Sequence, residues 1–110
     1  MRYILVCLAL SGLVGGAVPA GAYNLIGAGT DSCGTWLRDH HRHDTDAAHQ
    51  DDQWVLGFLS GIGFVADKGD NPLNGVDADA VWAWIGNYCR ANPLVSINGA
   101  ATAFYKAHPH

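Results

Sequence analysis

Gln53-Trp-Val-Leu-Gly-Phe-Leu-Ser-Gly-Ile-Gly-Phe-Val65 decides the fold class. Trp54, Val55, Phe58, Leu59, Ile62 and Val65 recur every three or four positions, the period of one helix face. The pattern predicts a helix from Ala47 to about Asp67. Asp51 and Asp52 fall in its first half, where carboxylates suit the positive end of a helix. Gly57 and Gly61 lie four apart, and each costs about 1 kcal/mol of helix propensity against alanine. The expected use of such a pair is the close crossing of a second helix in a soluble core.

The same period recurs on either side. Thr30 to about Asp39 predicts a first helix with Thr30 or Asp31 as N-cap. Cys33, Trp36 and Leu37 would share its inner face. Asp39-His-His-Arg-His-Asp-Thr-Asp46 has no apolar residue and reads as a solvated loop or frayed helix end. Asp67 to Gly75 is dense in turn formers and should be a loop. Asp77 is a good N-cap for a third helix, Ala78 to about Arg90, burying Val81, Trp82, Ile85, Tyr88 and Cys89. Asn92-Pro93 ends it, because the residue before proline avoids helix. Ser96 can cap a fourth helix to about Ala107, burying Ile97, Ala100, Ala101 and Phe104. Strand-like alternation is sustained nowhere. The expectation is a small all-α domain of about four helices with one disulfide, its core spanning 30–107.

The start of the chain predicts export. Met1-Arg2 is positive, Tyr3 to Val14 is apolar, and Ala20-Gly21-Ala22 fits an A-x-A cleavage site. Residues 1–22 read as a cleaved signal peptide, with cleavage after Ala20 as the alternative. The apolar run is too short for a membrane span. Removing it takes Cys7 away and leaves 88 of the 110 residues, a single domain over 23–110. Cys33 and Cys89 are then the remaining cysteines. An exported chain with two cysteines reads as one disulfide in an oxidising compartment. Residues 23–29 read as an irregular arm.

Loss of Arg2 moves the net charge from −4 to −5, with ten aspartates and no glutamate. There is no basic stripe, so a nucleic-acid binder is not expected. Protonating the six histidines moves the formal charge to +1, and neutralising the aspartates moves it to +11. Histidine titrates near pH 6.5 and aspartate near 3.9, so the chain changes sign as its surroundings acidify.

Enzyme chemistry finds little support. Ser32, Ser60 and Ser96 sit in no nucleophile motif, the aspartates form no spaced catalytic pair, and no phosphate-binding glycine loop follows a strand. No cofactor is implied. His40, His41, His43 and His49 are weak metal candidates, because imidazole suits zinc, copper and nickel but the segment lacks the two-plus-two spacing of a structural zinc site. A solvated charged loop is the favoured reading. Trp36, Trp54 and Trp82 fit core faces. Trp84 falls off the buried stripe of its helix and, with Leu94 and Tyr105, is a candidate exposed patch for a partner or a second copy. Trp54 and Phe58 complete the candidate client or dimer surface.

Ser32-Cys-Gly-Thr-Trp-Leu37, the apolar Gln53 to Gly61 helix, the acidic turn, and Asn87-Tyr-Cys-Arg-Ala-Asn-Pro93 before a last helix together resemble the HdeA/HdeB-type periplasmic acid-stress proteins of Gram-negative bacteria. The resemblance covers most of residues 30–107, and Tyr-Cys-x-x-Asn-Pro is its most specific part. It implies a disulfide between Cys33 and Cys89. It also implies a periplasmic helical protein, dimeric at neutral pH and loosened by acid, that binds unfolding periplasmic proteins without enzymatic chemistry. The Gly-Phe-Leu-Ser-Gly helix, the acidic turn and the Asn-Pro end also resemble periplasmic immunity proteins that neutralise type VI secretion effectors. That resemblance implies binding of one protein effector.

Overall fold

In a computed structural model, residues 23–42, 45–66 and 70–108 are described. The expected signal peptide, His43 and His110 lie outside them. Four helices follow in order: α1 (Cys33–His41), α2 (Thr45–Val65), α3 (Ala78–Ala91) and α4 (Ile97–Ala107). A single 3-10 turn, Ala28–Thr30, precedes α1, and no strand occurs among the described residues. The all-α expectation with one disulfide holds: Cys33 and Cys89 are bonded, with their Cα atoms 4.8 Å apart.

The caps explain where the helices start. Ser32, Asp77 and Ser96 each have extended backbone and a side-chain oxygen that accepts the N–H three residues on, from Thr35, Ala80 and Gly99. For α1 this corrects the expected cap. Thr30 is occupied in the 3-10 turn, where its hydroxyl donates to the Gly27 carbonyl at 3.0 Å. The Asp31 carbonyl instead accepts the Ile97 N–H at 2.8 Å. Asn92 closes α3 as expected, its N–H returning to the Cys89 carbonyl.

The segment between α3 and α4 is stitched to the start of α1. Cys33 N–H donates to the Val95 carbonyl at 2.7 Å and Gly34 N–H to the Pro93 carbonyl at 2.9 Å. These bonds satisfy first-turn donors of α1 that no helix can satisfy internally. The disulfide lies beside them. The starts of α1 and α4 and the end of α3 therefore form one tied unit.

The core gathers Cys33 and Trp36 from α1, Val55 and Leu59 from α2, Val81, Ile85 and Cys89 from α3, and Ile97, Ala100, Ala101 and Phe104 from α4. The α4 expectation is met at all four positions. Helix α2 differs. Only Asp51, Val55 and Leu59 are buried along its 21 residues, with Trp54, Phe58 and Ile62 packed partly against the core. Val65, placed on the inner face by its spacing, is 79% exposed beside Phe64 at 90%. The last turn of α2 overruns the core.

The glycine pair on α2 also departs from expectation. A Cβ at Gly57 or Gly61 would meet nothing within 4 Å, so no helix crosses there. The close approach is at Gly29, where a Cβ would stand 2.1 Å from the Trp54 ring. Trp54 lies over the 3-10 turn and its indole N–H donates to the Ile26 carbonyl at 2.9 Å. The arm read as irregular is thus docked by one tryptophan.

Candidate functional site

The charged stretch from Asp39 to Asp46 was expected to be a solvated loop or frayed helix end; α1 runs into it as far as His41, and His41, Arg42, Thr45 and Asp46 are exposed, but Asp39 is not. Asp39 is 6% exposed and Asp51 only 3%, so α1 and α2 meet across a seam that buries two carboxylates. Asp39 accepts the Arg38 Nε–H at 2.9 Å. Asp51 lies in the first half of α2, as expected, at its seventh residue, and its Oδ2 is buried with no hydrogen-bond partner. Burial pushes the Asp51 carboxyl up to about 6, repulsion from Asp39 adds to the rise, and the nearby His40 opposes it. Burial disfavours the charged form, and a second carboxylate disfavours it further.

His40 crosses the seam beside them. Its Nδ1 lies 2.6 Å from the Trp36 carbonyl and its Nε2 lies 2.8 Å from Asp52 Oδ1. Both ring nitrogens face oxygens, one on the backbone of α1 and one on a side chain of α2, so the ring spans the two helices. The ring also stacks on Trp36, with centroids 4.1 Å apart. The seam therefore joins two helices through groups whose charges depend on pH.

Beside the seam, α1 and α3 enclose an open cleft of about 670 Å³. Trp36, Leu37, Trp82, Ala83 and Gly86 give it an apolar floor. His40 belongs to both features.

The other candidate residues scatter. Trp54 and Phe58 stack on each other, with centroids 5.2 Å apart, and are half-buried rather than free. Trp84 is not part of an exposed patch. It meets Phe104 edge-on at 5.3 Å and stacks with Tyr88 at 5.4 Å. Its position off the buried stripe is explained by the end of α4, where His108 stacks on Phe104 and touches Trp84. Tyr105 packs partly against the core. Leu94 alone stands out, 95% exposed in the α3–α4 connection. His41 and His49 are exposed, and among the described residues no three His, Cys, Asp or Glu side chains gather as a metal site. No helix of the described residues is long and apolar enough to cross a membrane.

Sequence reading missed the seam and the cleft. Asp39 gave a faint signal, three residues beyond Trp36 and hence near the inner face of α1. No protein-family model, curated protein or solved structure matches the chain.

Proposed function

We propose that this is a periplasmic acid-stress chaperone-like protein, which binds unfolding client proteins at low pH and performs no catalysis. The observation that carries the reading is the α1–α2 seam, where the His40–Asp52 contact and the buried, mutually repelling Asp39 and Asp51 join α1 to a helix that buries few residues of its own.

Acidification acts on the seam in two stages. Asp51 holds its proton up to about pH 6 in the fold, against about 4 in an unfolded chain. Between those values the folded state binds more proton, so stability falls as pH rises through the window and is higher at pH 5 than at pH 7. The first stage therefore tightens the seam. Below about pH 4 carboxylates as a class lose their charge. Attractions that depend on carboxylate charge then fade while the cations remain, and the positive charge of the whole chain favours expansion. Helix α2 is the element held by the fewest buried side chains for its length, and its release uncovers Trp36, Val55 and Leu59. Those apolar faces would hold clients.

The test is suppression of aggregation of an unrelated unfolding protein by the exported, disulfide-bonded protein, at pH 7 and again near pH 2–3. Suppression in acid alone, with loss of near-UV circular dichroism, is expected. No suppression at either pH would overturn the chaperone reading and move the weight to specific binding of one protein effector at neutral pH.

A further inference from the structure

Basic side chains gather at the α1–α3 cleft. Arg38, His40, His41 and Arg90 line it together with the apolar residues, and among the described residues no aspartate does, although Asp39 and Asp52 pair with Arg38 and His40. Arg90 makes a hydrogen bond to the Asn87 side chain and, among the described residues, no ion pair. Arg38 uses Nε for Asp39, which leaves both terminal nitrogens of its guanidinium. Two arginines over a surface of two tryptophans and a leucine ask for a ligand with an anionic head and an apolar body. The volume is in the range of small-molecule sites, about 300–1,000 Å³.

The geometry points to a binding site for a medium-chain fatty acid in the α1–α3 cleft, its carboxylate held by Arg90 and Arg38 and its chain laid on Trp36, Leu37 and Trp82. A guanidinium presents paired N–H donors at the spacing of a carboxylate's two oxygens, which favours a carboxylate head over an uncharged one. Ala83 is an exposed residue of that apolar lining, so chain and solvent meet there. The site needs no acidification and no release of α2, and so is independent of the chaperone reading.

The test is calorimetric titration of the exported, disulfide-bonded protein at pH 7.5 with octanoate, with 1-octanol as the uncharged match, and with an acidic peptide carrying apolar residues. Saturable one-to-one octanoate binding is expected, with octanol at least about tenfold weaker and the peptide not competing. Arg90→Gln should weaken octanoate about tenfold and leave octanol unchanged, while Ala83→Phe, which fills the cleft, should weaken both. Arg90 and Ala83 are exposed, and melting curves of both variants confirm that they fold. Failure of octanoate to saturate, equal affinity for octanol, or indifference to both variants would each overturn the proposal. Displacement of octanoate by the peptide would overturn it in favour of a protein partner.

Discussion

A Cβ at Gly29 would meet the Trp54 ring at 2.1 Å, whereas one at Gly57 or Gly61 would meet open solvent. The three glycines therefore predict opposite outcomes for one substitution. Gly29→Ala must displace the indole or the turn beneath it, and should cost about 1–3 kcal/mol. Gly57→Ala and Gly61→Ala remove helix-weakening glycines without steric cost, and each should add up to about 1 kcal/mol. Urea unfolding of the three variants checks this. A stabilised Gly29→Ala would mean that Trp54 does not rest on the turn. Asp51 carries the second residue-scale prediction. Its raised carboxyl, from burial first and Asp39 second, makes its charge a net cost of about 2–3 kcal/mol at neutral pH. The protein should unfold at higher urea at pH 5 than at pH 7.5. Asp51→Asn should flatten that difference and gain stability at pH 7.5, and an unchanged pH slope would remove Asp51 as its source.

At the scale of elements, the helices differ in what holds them. Helices α1, α3 and α4 are joined by the disulfide and by the backbone bonds from Cys33, Gly34 and Ile97. Helix α2 relies on Val55, Leu59, the partly packed Trp54, Phe58 and Ile62, and the seam. Reducing the bridge, or Cys33→Ala with Cys89→Ala, should cost about 4 kcal/mol, the chain-entropy value for two cysteines 56 residues apart. That is a large part of the stability of a domain this small, about 5 kcal/mol at the low end. Urea unfolding with and without reductant measures it, and coincident curves would show that the bridge adds nothing. The element scale also shows what local sequence conveys. Helices α3 and α4 were legible because Asp77, Ser96 and Asn92-Pro93 act on their own neighbours. The cap of α1 was not, because the Asp31 carbonyl is taken by Ile97, 66 positions away in the chain. Asp39 to His41 read as solvated because what buries Asp39 and engages His40 is α2, a partner that no local pattern announces.

For the whole molecule, composition conveyed the sign change with pH but not its course. Counting charges suggests a monotonic loosening as acid is added. The seam adds an opposing early stage, because Asp51 takes its proton more readily in the fold than out of it. The cleft was equally invisible, since its two walls are 40 residues or more apart in sequence and come together only in the fold, where Cys33 also bonds Cys89. The fold class needed only the period of the apolar residues, whereas the candidate sites needed the packing of one helix on another. The bridge also makes a covalent circle of everything from Cys33 to Cys89. Helix α2 lies wholly inside that circle and α4 wholly outside it. A protease that cuts once among residues 34–88 leaves a nicked protein in one piece, heavier by a single water, whose two fragments part only when the bond between the sulfurs is reduced.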